Sequence, residues 1–102
     1  MDEGSLIFPS EPVLRIEAPI IEALLLEGLI LNTINFQSLI ATKTARIWLA
    51  SGKSSIMEFG LRRAQGPDGA MSATRAAIIG GAAGTSNTLG GKLYGVPVMG
   101  TM

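Results

Sequence analysis

Two reactive residue types are absent from this chain, and their absence narrows the chemistry it can support. The sequence contains no cysteine and no histidine. Disulfides, thiol nucleophiles, imidazole bases and Cys/His metal sites are therefore excluded from these residues. Basic and acidic residues number eight each and cancel to a net charge of zero. No excess charge of one sign is present to attract nucleic acid or an anionic membrane surface, so neither is expected as a partner.

Apolar residues and glycine are abundant instead. Apolar residues make up 47% of the 102 positions, and 13 positions are glycine, which is typical of a folded protein with tight turns. A chain of this length forms one domain at most. Asp2, Glu3 and Gly4 stand where a signal peptide would have a basic start and an apolar run, so we expect a cytoplasmic protein.

Residues 1–53 are predicted to form a short hairpin and a long helix. Residues typical of strands occur at Ser5–Phe8 and Val13–Glu17, with a break between them at Pro9–Pro12. This pattern favours a hairpin at the edge of a sheet. The alternative is a simple connector. The helix is predicted from Pro19 to about Ser51. Proline suits its first turn, and the glycine that follows Ser51 suits its end.

The first half of this helix has an apolar stretch that resembles a membrane span. Glu22 and Glu27 interrupt the run from Ile20 to Leu31, and Asn32 closes it short of the roughly 20 apolar residues that a span requires. The polar residues of the helix do not collect on one face. A helix without a polar side is usually enclosed, so we expect a core helix covered by other layers or by a partner subunit.

Residues 54–102 carry a β-α-β-α-β pattern. A strand is predicted at Ser55–Phe59, a helix from the turn at Gly66 to Ile79, a second helix between Asn87 and Gly95, and a last strand at Val96–Val98. Right-handed units of this kind build parallel sheets and α/β barrels. Because a barrel needs about eight strands, the pattern predicts part of a barrel.

Charged side chains follow the first of these strands. Glu58 lies within an apolar run and needs a partner, for which Arg62 or Arg63 is near in sequence; a structural ion pair and a catalytic carboxylate are the alternatives. The two arginines offer planar donors for a carboxylate or phosphate. Asp68 is expected to cap the amides of the helix that follows.

The segment Gly84-Thr85-Ser86-Asn87 is the second candidate site. It offers two hydroxyl groups and, at a helix start, backbone amides expected to be free, which is the arrangement of a phosphate cradle. With the two arginines it predicts an anion pocket. Each signal alone has a structural explanation, since arginine pairs are often solvated and such a segment is often only a helix cap.

These motifs together resemble the central part of the nicotinate phosphoribosyltransferase family. The resemblance rests on the following segments: Phe59-Gly60-Leu61-Arg62-Arg63-Ala64-Gln65-Gly66-Pro67-Asp68-Gly69, Gly80-Gly81, Gly84 to Asn87, Gly95 to Val98, Gly100-Thr101, and upstream Phe8 to Pro12, Arg15, Glu17, Asn35 to Gln37 and Ala41 to Lys43. It covers nearly the whole chain.

The resemblance implies a type II phosphoribosyltransferase, with a split amino-terminal domain of mostly β structure and an irregular α/β barrel. Residues 1–53 would belong to the first and residues 54–102 to the start of the second. Members are usually homodimers that condense nicotinate with phosphoribosyl pyrophosphate, coupled to ATP hydrolysis and dependent on Mg²⁺, in NAD salvage. By motif match, Arg62 would bind an anionic group of the substrates, Thr101 would contact nicotinate, and Gly84, Thr85 and Ser86 would line the same pocket.

The chain departs from the family pattern at its last residues. Family members continue after Gly-Thr with one variable residue and then Ala-His-Ser, whose histidine is phosphorylated, whereas here the variable residue is Met102. No catalytic residue and no metal ligand is therefore assigned within this chain, and we expect the isolated polypeptide to be inactive. The alternatives are specificity for nicotinamide or quinolinate, and a non-catalytic module that binds a homologous subunit or a phosphorylated ligand.

Overall fold

The computed structural model describes residues 1–100. The elements, in chain order, are helix α1 (Ile20–Ala50), strand β1 (Met57–Glu58), a 3-10 turn (Leu61–Arg63), helix α2 (Gly66–Ile79), strand β2 (Gly84–Thr85) and helix α3 (Thr88–Tyr94). The predicted helices are thus confirmed within a few residues at each end.

The ends of α1 follow the expected signals. The helix begins directly after Pro19. At the other end the amide of Gly52 donates to the carbonyl oxygen of Leu49 at 3.1 Å, and the amide of Lys53 donates to that of Trp48 at 2.8 Å. Gly52 has φ +69°, a left-handed conformation that glycine adopts without steric cost. These bonds form a Schellman motif, and the predicted helix terminator is confirmed.

Residues 1–100 do not enclose α1, and the expected cover by other layers or by a partner subunit stays a prediction. Thr44 is its only buried residue, whereas Leu24 and Leu25 are 61% and 77% exposed. The helix packs on α2 near Gly80, where an added Cβ atom would lie 2.9 Å from Cβ of Thr44. Beyond this crossing, no layer of residues 1–100 covers its amino-terminal half.

By length and composition alone, α1 also passes the test for a membrane span. It is 31 residues long, and the mean hydropathy of its most apolar window is 1.4. This is weak evidence, because core helices of soluble proteins pass the same test.

The predicted hairpin is not formed. Residues 1–19 contain turns but no strand. The amide of Ser5 donates to the carbonyl oxygen of Asp2 at 3.2 Å, and that of Glu11 donates to Phe8 at 3.3 Å. An isolated two-stranded hairpin is marginally stable in water. The segment contacts α2 through the salt bridge of Glu3 with Arg75, but no strand of residues 1–100 pairs with it.

The sheet is small and parallel. Met57 pairs with Gly84 and Glu58 with Thr85, and an isolated parallel bridge joins Thr85 to Val98. With α2 and α3 as the connections, this confirms a parallel sheet with alternating helices, whereas the predicted strand at Val96–Val98 is reduced to the single bridge at Val98. The first strand is shorter than the predicted Ser55–Phe59, and residues 1–100 form two short strands and a bridge, which do not amount to a barrel.

The core beside this sheet is built from small side chains. The buried apolar residues are Ala70, Ala76, Ala77 and Ala82. Glycines let backbones approach closely, since a Cβ atom on Gly84 would lie 2.7 Å from the carbonyl oxygen of Pro97. A Cβ on Gly91 would collide with Val98. These contacts hold α3 and residues 96–98 against β2.

The predicted cap of α2 is absent. Gln65 is the residue before the helix, and no side chain bonds to the first amides. Asp68 lies in the first turn instead, where its negative charge still interacts favourably with the helix dipole.

Candidate functional site

The two segments singled out by sequence lie at the same edge of the sheet. Because β1 and β2 are parallel neighbours, the turn that follows β1 and the residues that follow β2 emerge at their common carboxyl end. Arg62 is exposed on the 3-10 turn, and Ser86 is half-buried directly after β2. The structure therefore brings the predicted arginine and hydroxyl segments to one edge.

Glu58 is held by hydrogen bonds and makes no ion pair. Its Oε2 atom accepts from Oγ1 of Thr74 at 3.0 Å and from Oγ1 of Thr85 at 2.6 Å, while its Oε1 atom accepts from the amide of Gly60. Within residues 1–100 the salt bridges are Arg15 with Glu17 and Arg75 with Glu3. The predicted ion pair between Glu58 and Arg62 or Arg63 is thus wrong.

Asn87 extends this network and caps α3. Its Oδ1 atom accepts from the amide of Gly90 at 3.1 Å, and its Nδ2 atom donates to Oγ1 of Thr74 at 3.1 Å. Its own amide donates to Oγ1 of Thr85 at 2.9 Å. Asn87 is 3% exposed and Thr74 is fully buried. Sequence indicated the helix start at Asn87, but nothing in the spacing of Thr74 pointed to a shared network.

The backbone amides of the predicted phosphate cradle are occupied. The amide of Thr85 donates to the carbonyl oxygen of Pro97, and that of Ser86 donates to that of Glu58, both at 3.0 Å. The amide of Asn87 donates to the hydroxyl group of Thr85, so three successive amides make hydrogen bonds within the protein. The expectation that these amides are free is wrong, and the Ser86 hydroxyl is left as the polar group of this segment that is still partly exposed.

Gly84 and Thr85 have structural roles in the residues described. Gly84 admits the close approach of Pro97, and Thr85 is fully buried with its hydroxyl directed to Glu58. They form the wall behind Ser86. Thr101, the remaining predicted site residue, lies outside the described residues.

A cleft of about 380 Å³ lies between the carboxyl-terminal half of α1 and β1. It is lined by Ile40, Lys43, Thr44, Ile47, Ile56, Met57, Glu58, Phe59, Gly60, Arg63, Ala77 and Ala82. Most of the lining is apolar, and Lys43 and Arg63 bring positive charge to it. Sequence reasoning missed this cleft, because it depends on how α1 crosses the sheet. Glu58 also lines the cleft, so its charged residues are of both signs.

The described residues contain no candidate metal site. No group of three or more acidic side chains lies close enough together to hold an ion within residues 1–100. The chemistry that this edge of the sheet can supply is therefore recognition of an anion by guanidinium and hydroxyl donors.

Comparison with known proteins gives close matches along the whole chain. It is 56% identical over 102 residues to the nicotinate phosphoribosyltransferase of Dictyostelium discoideum, and 52% identical over 101 residues to that of Bacillus subtilis. Each alignment covers 99% of this chain, but only 17% and 21% of those relatives. No family model matches the chain.

A solved structure shows the same arrangement of the backbone. The crystal structure of human nicotinic acid phosphoribosyltransferase superposes with a TM-score of 0.88 at 45% identity, over 97% of this chain and 20% of the human chain. The chain thus spans about a fifth of the length of the proteins it matches.

Proposed function

Because the chain is homologous along its length to one segment of the nicotinate phosphoribosyltransferases, we propose that it supplies part of the substrate site of such an enzyme. The reaction joins nicotinate to phosphoribosyl pyrophosphate, giving nicotinate mononucleotide and pyrophosphate. The observation that carries this proposal is identity of about half the residues in alignments that cover 99% of the chain.

Arg62 is proposed to bind an anionic group of the substrates. Departure of pyrophosphate places negative charge on the leaving group, and a positioned cation stabilises that charge. Arg62 is exposed at the sheet edge, and no carboxylate of residues 1–100 lies within salt-bridge distance of it. Ser86 would line the same pocket with Gly84 and Thr85 behind it, and Thr101 would contact nicotinate.

Further properties are proposed for the complete enzyme from the family alone. Mg²⁺ and ATP would be required, and residues 1–100 contain no cluster of acidic side chains that would hold the ion. We also propose a cytoplasmic homodimer that binds neither nucleic acid nor membrane. In it, residues 1–53 would belong to the amino-terminal domain and residues 54–102 to the first strands and helices of the barrel.

The isolated 102-residue chain is expected to show no nicotinate turnover. It spans about a fifth of the relatives' length. Release of pyrophosphate by the purified chain in the presence of nicotinate, phosphoribosyl pyrophosphate, Mg²⁺ and ATP would contradict this expectation.

A segment exchange tests the proposed function directly. The matching segment of the Bacillus subtilis relative would be replaced by this chain, and nicotinate-dependent release of pyrophosphate would be measured. The chimera is expected to be active, and Arg62→Ala in it is expected to lower kcat/KM about 100-fold. Arg46→Ala, which removes an exposed arginine of α1, is the matched control and should leave activity unchanged.

A chimera that folds but does not turn over nicotinate would overturn the proposal. Circular dichroism and sizing chromatography establish folding independently of activity. Competition with nicotinamide and with quinolinate distinguishes nicotinate specificity from that of neighbouring enzymes, since a nicotinate site should prefer nicotinate to both.

A further inference from the structure

The carboxylate of Glu58 lies where four parts of the fold meet. It belongs to β1, and it accepts hydrogen bonds from the turn after β1 through Gly60, from α2 through Thr74 and from β2 through Thr85. Thr74 and Thr85 are fully buried, so their hydroxyl groups depend on protein partners. No other side chain in residues 1–100 joins as many elements through hydrogen bonds.

The direction of the hydrogen bonds requires an acceptor at this position. Asn87 donates to Oγ1 of Thr74 through Nδ2 and to Oγ1 of Thr85 through its amide. Each hydroxyl therefore accepts one bond from Asn87 and donates its own proton to Glu58. The amide of Gly60 is a third donor, and it points at the other carboxylate oxygen. A carboxylate accepts at both oxygens, whereas a glutamine side chain accepts at only one of its two terminal atoms.

We propose that Glu58 is a positioning residue, which fixes the turn that carries Arg62 against β2. Gly60, held by the carboxylate, in turn accepts from the amide of Arg63 at 2.8 Å, and this bond closes the turn around Arg62. The carbonyl oxygen of Glu58 also accepts from the amide of Ser86 at 3.0 Å. One residue thus sets both sides of the edge at which the anion is proposed to bind, and this functional consequence rests on the proposed role of Arg62.

The test uses the 102-residue chain and compares Glu58→Gln with a matched control, Glu27→Gln. Glu27 is exposed on α1, so its substitution removes the same charge without touching the network. NMR gives the exchange rate of the Gly60 amide with solvent and the affinity for inorganic pyrophosphate. In Glu58→Gln we expect the Gly60 amide to exchange about tenfold faster and pyrophosphate to bind about tenfold more weakly. Glu27→Gln should match the unchanged chain in both.

These readouts separate positioning from a purely structural role. A residue that only stabilises the fold would lower the unfolding temperature, but below that temperature would leave pyrophosphate affinity unchanged. That result in Glu58→Gln would overturn the proposal, as would a Gly60 amide that exchanges freely in the unchanged chain. If the unchanged chain protects Gly60 but does not bind pyrophosphate, the proposed role of Arg62 fails while the positioning of the turn is supported.

A second variant keeps the proposal testable if Glu58→Gln does not fold. Thr74→Val removes one hydroxyl donor to Glu58 with little change of shape and leaves the carboxylate in place. Exchange of the Gly60 amide is then expected to rise about threefold with the fold retained. An unchanged exchange rate in folded Thr74→Val would overturn the proposal.

Discussion

The amino-terminal region (residues 1–55) and the carboxy-terminal region (residues 56–100) place their apolar side chains in opposite ways. The first has the longer helix and the larger side chains, yet Leu6, Ile20 and Leu25 are each more than 70% exposed. The second contains all the buried alanines and, apart from Thr44, all the buried polar residues of the described chain. Side-chain size therefore does not decide which region is packed.

Close backbone approach explains the difference. In the carboxy-terminal region, glycines and alanines let α2, α3 and the strands come together, and the polar groups at their junction bond to one another. The amino-terminal half of α1 has large apolar side chains, but among residues 1–100 no second layer covers them. The carboxy-terminal region is thus a small packed unit whose buried polar groups bond to one another. It is joined to a helix whose amino-terminal half has no covering layer among residues 1–100.

Asn87→Ala should show the largest effect on stability. It removes the cap of α3 and leaves the buried amide of Gly90 without an acceptor, so the free energy of unfolding should fall by about 3 kcal/mol. Urea denaturation followed by circular dichroism measures this. The matched change in the amino-terminal region, Asn32→Ala on exposed helix, should alter it by less than about 0.5 kcal/mol. Equal losses in the two variants would show that the regions do not differ as described.

Gly80→Ala should destabilise the chain by an intermediate amount. Gly80 has φ −74°, so its backbone accepts alanine, but the new Cβ would press on Ala41 and Thr44 of α1. The expected loss is about 2 kcal/mol. Gly28→Ala, on α1 with nothing within 4 Å of the added atom, should instead stabilise by about 0.5 kcal/mol. Changes of the same sign in the two unfolding curves would contradict the observed crossing of α1 and α2.

Leu25→Gln should have the smallest effect on unfolding. Leu25 is 77% exposed, and its replacement should change the free energy of unfolding by less than about 0.5 kcal/mol. Less apolar surface should also reduce self-association, which sedimentation at several concentrations measures. A loss above about 1 kcal/mol would mean that this face is covered in solution.

Local signals were sufficient to predict the helices. Pro19 and Gly52 bound α1, and Asn87 and Gly95 bound α3, because each provides the backbone geometry or the side-chain acceptor that a helix end requires. The parallel order of the strands followed from the helices between them. The resemblance of the chain to one enzyme family, read from its motifs, was confirmed by homologues along its length.

Contacts between distant residues could not be predicted in the same way. The partners of Glu58 lie 16 and 27 positions away, at Thr74 and Thr85, while the arginines four and five positions away do not pair with it. The free amides expected at Ser86 were already used, since their acceptors come from neighbouring strands. The exposure of α1 depends on which other elements lie against the helix, and the spacing of its apolar residues does not identify those elements.

The pairing of Glu58 with Thr85 has a consequence for how two such short strands find their alignment. A slip by one residue would turn the carboxylate to the opposite face of the sheet. A slip by two would place it opposite Ala83, which has no hydroxyl, or opposite Asn87, whose side chain already caps α3. Only the observed pairing combines the two-residue backbone ladder with a hydrogen bond from the Thr85 hydroxyl to the Glu58 carboxylate. In a sheet this small, one polar side-chain pair is enough to favour a single register of the two strands.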